Sequence, residues 1–429
     1  MENNMSYLAI AIFALTYVGI VTEKIPRAFC ALIGGGLMIY CGFLTQEEAV
    51  KEFIDFNTIG LLTGMMILIS VVRLSGFFEA MALWAVKVTK GRPRELLVLL
   101  ALITAVGASL IDSVTAALLL APMTISLCRK MNLSPVPFLI MEVLMANIGG
   151  TALMVGNPPN VMIGSATGLD FNAFFLNLAP GVLITMVVII GLLLAIYHKD
   201  MPVHALTREE LDKIDVHAVI KDEVILKRSL TILGLTIVGF ILHGFLHLDS
   251  ATIAMTGGIL ALIVCRIDAH EAFKHVDWDT LFFFMGLFIV VGGLEVTGVI
   301  TALAEWGISI AAGNTEVLTF FILWLAGIAS AFVDNIPFTA TMIPLIHEIQ
   351  SMMGMEHADY MWWSLALGAC YGGNGTLIGA SPNIIVVAIA AAEGIRISFL
   401  KFMKLCFPLM VVSLIISHAY LYIRYFLFQ

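Results

Sequence analysis

Slid along itself by 222 residues, the chain matches itself. "DFNT" at 55–58 falls on "DWDT" at 277–280, and Gly64, Gly76, Gly91, Asp112 and Pro122 fall on Gly286, Gly298, Gly313, Asp334 and Pro344. After one inserted residue, Gly149-Gly150 falls on Gly372-Gly373, and "GNPPN" at 156–160 on "GASPN" at 379–383. So many coincidences in register mark an internal duplication, and a repeat constrains the architecture before any single element is read. The chain divides into repeat 1 at 6–197, a linker at 198–227 and repeat 2 at 228–427, all within one membrane domain, 1–429.

The solvent of that domain follows from composition. Sixty per cent of the residues are hydrophobic and 12% are charged, where a soluble domain carries about 25% charged residues. Apolar runs of the length that crosses a bilayer, roughly 17–25 residues, fill most of the chain. In lipid the backbone must satisfy its own hydrogen bonds, and runs of this length do so as helices. The expected fold is an all-α polytopic membrane protein. In repeat 1 we read spans near 6–23, 27–44 and 57–75, a helix at 77–90, a segment at 95–129 interrupted at Asp112, a Gly/Pro-broken span at 135–166 and a span at 173–197. The start lacks a basic segment and a cleavage site, and reads as a retained first span. Six scattered cysteines suggest neither disulfides nor a metal site, and the histidines read as interfacial or solvated. No soluble domain, nucleic-acid surface or cofactor site is indicated.

Segment 95–129 is too long for one crossing. It is either two crossings with Asp112 at a surface or a re-entrant hairpin. Lysine and arginine decide, because they concentrate on cytoplasmic loops. With the hairpin re-entrant, the amino terminus outside and the linker inside, the outer side holds only Lys51 and Arg424 of the 22 basic residues. Each repeat then has five spans, an odd number, so repeat 2 is upside down relative to repeat 1. The second hairpin, 314 to about 350, enters from outside. A cell (inner) membrane location follows for a chain of this kind, and the mixed charge of 198–227 reads as a plain linker.

Inverted repeats with interrupted helices are the sequence mark of secondary transporters, whose site lies near the midplane. Four interruptions converge: the tips "IDSVT" at 111–115 and "VDNIPFT" at 333–339, and the loops "GGTALMVGNPPN" at 149–160 and "GGNGTLIGASPN" at 372–383. Freed helix ends and neutral side chains there become candidate ligands: Ser113, Thr115, Asn147, Thr151, Asn157 and Asn160 in the first half, Asn335, Thr339, Asn374, Thr376 and Asn383 in the second. Asp112 and Asp334 are the charged candidates. A carboxylate at membrane depth costs about 2.5–3.5 kcal/mol on insertion scales and usually faces a cavity or an ion path. We read both as ion-binding and proton-coupling groups. A plainer reading makes each a cap for a half-helix. Glu142 is a third proton-coupling candidate, with Leu365 at its place in repeat 2, so packing or gating is an equal reading. Arg73 and Glu295 read as interfacial anchors.

These residues resemble the ion transporter superfamily that includes arsenite permease, the NhaD-type sodium/proton antiporters, the P protein and the citrate and dicarboxylate carriers. The most specific stretches are "LIDSVTAALLLAP", which is similar to the P-protein-type "DNVT" tip, the two Gly-Gly to Pro-Asn loops, and "DFNT"/"DWDT". One departure is visible: Ser113 stands where that branch usually has Asn, while Asn335 is kept. The resemblance implies two inverted five-span repeats, each with a re-entrant hairpin, an elevator mechanism and a homodimer.

Charge narrows the substrate. An aspartate at both tips works against a multiply charged anion, and no lysine or arginine lies at membrane depth in the transport segments to offset it. The expected cargo is a cation or a neutral metalloid hydroxide, arsenite or antimonite, exchanged for protons, with H+ or Na+ as coupling ion. A sodium-coupled citrate or dicarboxylate carrier is the alternative. A passive channel is more remote, as is an intramembrane aspartyl protease, since neither motif of such proteases is present. No enzyme is expected.

Overall fold

A computed structural model describes residues 2–22, 24–199, 215–355 and 358–427. Most of the 198–227 linker therefore lies outside the described residues. Among those described, the fold is helical, without strands. Repeat 1 supplies α1 (Glu2–Thr22), α2 (Arg27–Tyr40), α3 (Phe56–Leu74), α4 (Phe77–Val88), α5 (Pro93–Leu110), α6 (Ser113–Lys130), α7 (Val136–Gly150), α8 (Pro158–Thr167) and α9 (Phe171–Tyr197). Repeat 2 supplies their counterparts in the same order: α10 (Glu223–Leu246), α11 (Ser250–Cys265), α12 (Trp278–Val296), α13 (Val299–Ile310), α14 (Thr315–Phe332), α15 (Asn335–Met353), α16 (Asp359–Gly372), α17 (Ser381–Ala392) and α18 (Phe399–Tyr425).

Eight of these helices are long and apolar enough to cross a membrane: α1, α3, α5, α9, α10, α12, α14 and α18. Two of them, α5 and α14, are first arms of the hairpins, and two spans of each repeat are shorter or broken. Helices α2 and α11 have only 14 and 16 residues. At about 1.5 Å per residue they fall short of a hydrocarbon core of about 30 Å. One end of each therefore stops below the membrane surface.

The repeated "DFNT" and "DWDT" are helix starts. Asp55 accepts the N–H groups of Asn57 and Thr58 at 3.0 and 3.1 Å and the Thr58 hydroxyl at 2.5 Å. Asp277 accepts the N–H and hydroxyl of Thr280 at 3.1 and 2.6 Å. Such caps satisfy donors that the first helical turn leaves open.

The two repeats interlock through these spans, α2 against α12 and α3 against α11. Glycine makes the approach possible. A Cβ on Gly64 would stand 2.3 Å from the carbonyl carbon of Ala254, and one on Gly286 would stand 2.4 Å from that of Ala31. The same crossing is built twice, once from each repeat.

The interrupted segments are hairpins. Only two residues separate α5 from α6, and two separate α14 from α15. The first tip meets the interruption of a neighbouring span: the Ser113 N–H donates to Gly156 O at 3.0 Å, between α7 and α8. A tip touching a mid-span break lies inside the membrane, not at its surface. The second arm of each hairpin packs on the far part of the other repeat's broken span, α6 on α17 and α15 on α8.

Candidate functional site

Both tip aspartates cap the second arm of their hairpin. Asp112 accepts the Thr115 N–H and hydroxyl, each at 3.0 Å. Asp334 accepts the Ile336 N–H at 3.0 Å through one oxygen. The plainer reading is thus part of the answer. It is not all of it, because the other Asp334 oxygen points elsewhere.

That oxygen, Oδ2, accepts the Ser381 hydroxyl at 3.2 Å and lies 3.5 Å from Arg27 Nη1. Arg27 begins α2, and its guanidinium is shared widely. Nη1 donates to Ser381 Oγ at 2.8 Å and Nη2 to Thr280 Oγ1 at 2.7 Å, while Nε lies 3.8 Å from Asp279 Oδ2. Its plane also lies over Phe283, 5.2 Å from the ring centre, within cation–π range. A cavity of about 260 Å³ opens here, with Arg27, Asp279, Asp334 and Ser381 as its polar lining and isoleucines and phenylalanines as its walls.

The expectation held that no basic residue of the transport segments offsets the hairpin charge; the residue that does, Arg27, comes from α2, outside them. Arg27 was counted as a cytoplasmic loop charge. Because α2 is short, its first residue stands deep enough to reach a hairpin tip. The signal was present as a 14-residue span that begins with arginine after Pro26. Ser381, Thr280 and Asp279 were also missed as site groups, although "DWDT" was noted as a repeat marker.

Asp112 sits differently. It lies in a narrow crevice among Leu61, Met65, Ile69 and Val155, with Thr115 as the other polar group. Among the described residues no hydrogen bond or ion pair joins it to Asp334. Ser113 is almost fully buried beside it.

The neutral candidates gather in a buried knot where the two broken spans meet. Asn147 Nδ2 donates to Asn374 Oδ1 at 2.9 Å and to Asn383 Oδ1 at 3.0 Å. In the mirrored position Cys370 lies 3.7 Å from Asn160 Oδ1. Asn160 and Asn383 each pin the loop of their own repeat. Asn160 Nδ2 donates to Thr151 O and Leu153 O at 3.0 and 2.9 Å. Asn383 Nδ2 donates to Gly373 O and Thr376 O at 2.7 and 2.8 Å. Asn157 Nδ2 donates to Asn147 O at 3.0 Å.

Two threonines spend their hydroxyls within their own helix, Thr151 on Asn147 O and Thr339 on Asn335 O, while Thr376 donates to Ala331 O and ties its loop to the hairpin arm α14. Every one of these side chains is buried. The knot satisfies backbone that the breaks set free, while Asn147 Oδ1 and Asn157 Oδ1 stay buried without a partner. Asn335 is buried next to Asp334.

Glu142 is fully buried on α7 and accepts the Thr124 hydroxyl through Oε1, while Oε2 has no partner. It lies on the first repeat's own hairpin contact, away from the Arg27 cavity. Arg73 lies 3.5 Å from His275, and Glu295 lines a separate cavity of about 990 Å³ with Glu52, His347 and Glu348.

The sequence profile of the CitMHS citrate transporter family matches residues 17–368. The chain belongs to that family. Among its relatives is an uncharacterized transporter of Mycobacterium tuberculosis, Rv2685, 38% identical over 99% of this chain and 100% of that protein. The human P protein is 33% identical over 97% of this chain and 60% of its own length. Two solved transporters share the fold at low identity. YdaH of Alcanivorax borkumensis matches with a TM-score of 0.61 and 13% identity over 98% of both chains. MtrF of Neisseria gonorrhoeae matches with 0.63 and 12%, over 99% of this chain and 95% of that one. The CitMHS member is thus a multi-pass membrane transporter, as its repeat and hairpins led us to expect, and not an enzyme.

Proposed function

We propose that this CitMHS-family transporter exchanges a small cation, or a neutral metalloid hydroxide such as arsenite or antimonite, for protons or sodium. The observation that carries the reading is the charge of the Arg27 cavity. One positive group, Arg27, faces two negative ones, Asp279 and Asp334, so the ionised cavity is short of one positive charge. A proton or a monovalent cation on Asp334 balances it. A multiply charged anion does not. Asp112 and Glu142 are further carboxylates that a coupled proton could visit. The asparagine knot holds the broken spans in one piece, so that hairpins and broken spans can move together past α2, α3, α11 and α12. Such a shared movement is what an elevator mechanism uses.

A citrate or dicarboxylate carrier is the second reading, and Arg27 itself favours it, since guanidinium is suited to carboxylate. Proteoliposomes decide between the two. Sodium, lithium, arsenite, antimonite and citrate are added in turn while an imposed pH gradient is followed. Dissipation by sodium, lithium or a metalloid is expected, and a response to citrate alone would overturn the cation reading.

The same reading places the linker in the cytoplasm and residues 45–53 outside. In a cysteine-free background, Asp215→Cys should react with an impermeant thiol reagent only from the cytoplasm, and Glu47→Cys only from outside. The opposite pattern sinks the orientation.

A further inference from the structure

Arg27 reaches across from α2 to the second hairpin tip. It lies 3.5 Å from Asp334, a single long contact and not a two-pronged pair, whereas arginine and carboxylate at their best meet through two parallel bonds. A second carboxylate is within reach. Asp279 lies 3.8 Å from Nε and has a side chain 51% exposed, against 13% for Asp334. Thr280 and Phe283, which also hold the guanidinium, lie on α12 with Asp279. Asp334 and Ser381 belong to a hairpin and a broken span. Arg27 therefore stands between two sets of partners, one on the interlocked spans and one on the interrupted segments.

The device is present on one side of the duplication only. Asp112 and Asp334, Asp55 and Asp277, Thr58 and Thr280, and Asn160 and Asn383 are kept in both repeats. At the arginine and at two of the residues around it, Asp279 and Ser381, the repeats differ. Aligned through the glycine crossing, where Ala31 meets Gly286 as Ala254 meets Gly64, the counterparts of Arg27, Asp279 and Ser381 are Ser250, Asn57 and Pro158. Ser250 and Asn57 are still neighbours, since the Ala251 N–H donates to Asn57 Oδ1 at 3.1 Å. The contact between the spans is common to both halves, and the charge is not.

We propose that Arg27 is a tethered cation that holds the cargo position at Asp334 and is displaced onto Asp279 when the cargo binds. This rests on the reading that Asp334 binds cargo. The arginine does two things. It neutralises Asp334 in the empty carrier, so that no bare carboxylate is left at membrane depth. It also ties the interrupted segments to α2 and α12 until cargo replaces it, because both cannot sit on Asp334 Oδ2. Asp279 keeps the displaced guanidinium paired, so displacement strands no charge.

Binding of sodium, lithium and arsenite to the purified full-length protein, at fixed pH, tests this. If Arg27 holds the position about nine-tenths of the time, Arg27→Gln should tighten the apparent affinity by about tenfold. Arg27→Lys should fall between that variant and the wild type. Asp279→Asn should weaken binding, because the displaced arginine loses its second partner. The double variant Arg27→Gln/Asp279→Asn should behave as Arg27→Gln alone, which a merely structural role for Asp279 would not produce. Equal or weaker binding in a folded Arg27→Gln, with binding still lost in Asp334→Asn, would overturn the tethered cation alone. Binding unchanged in Asp334→Asn, or absent for every probe in the wild type, would overturn the cation reading beneath it and the proposal with it. Citrate binding that disappears in Arg27→Gln would make the arginine an anion ligand and also overturn it.

Discussion

Asp334→Asn is expected to abolish coupled transport while leaving the protein folded. Asparagine caps a helix about as well as aspartate, so the bond from the Ile336 N–H survives the change. What disappears is the negative charge that faces Arg27 and Ser381. Removing one member of a desolvated charged pair typically costs about 2 kcal/mol or more, or roughly 30-fold or more in binding. Cargo binding at the cavity should fall by at least that factor, and the pH-gradient response of proteoliposomes should fall with it. The melting temperature should shift little, because Arg27 retains Asp279, Thr280 and Phe283. A variant that melts as the wild type yet still dissipates the gradient would remove Asp334 from the mechanism.

Gly64→Ala should have a large effect on stability for a small chemical change. The new methyl group would lie 2.3 Å from the Ala254 carbonyl carbon and 2.4 Å from the Met255 nitrogen. Both are backbone atoms of α11, so no side chain can turn aside, and the helices must separate. Overpacking of this kind costs about 1–3 kcal/mol, set against the modest gain that alanine brings to a helix interior. Gly36→Ala supplies the control. It is also helical, and a Cβ there meets nothing within 4 Å, so it should leave stability level or raise it. Melting in detergent separates the two. Equal melting temperatures for Gly64→Ala and wild type would mean that α3 and α11 are not packed as described.

Periodicity and repetition made the large features of this fold legible. The offset of 222 residues predicted that each half contains the same helices, and α1 to α9 and α10 to α18 pair in that order. Asp112 and Asp334 were legible as hairpin tips because a lone carboxylate in an apolar run has few places to go. Both "DFNT" and "DWDT" were visible as markers, although their role as helix caps emerged only from the hydrogen bonds. Asn147, Asn160, Asn374 and Asn383 were legible as polar candidates at or beside the breaks. That Asn147 bonds Asn374 and Asn383 across the two repeats is not encoded in any local pattern.

Arg27 shows where reading along the chain runs out. Charge statistics treat a basic residue at the start of a span as belonging to the nearest loop. Depth, however, depends on how long the span is and on what packs beside it. The duplication, the helical class, the re-entrant tips and the two tip aspartates were determined by the sequence alone, because they follow from spacing and from the cost of exposing backbone or charge to lipid. Which tip faces a cation was decided only by tertiary structure. A 14-residue α2, laid against α12 at the glycine crossing, brings an arginine to residues 307 and 354 positions away. No periodicity along the chain carries a contact of that separation.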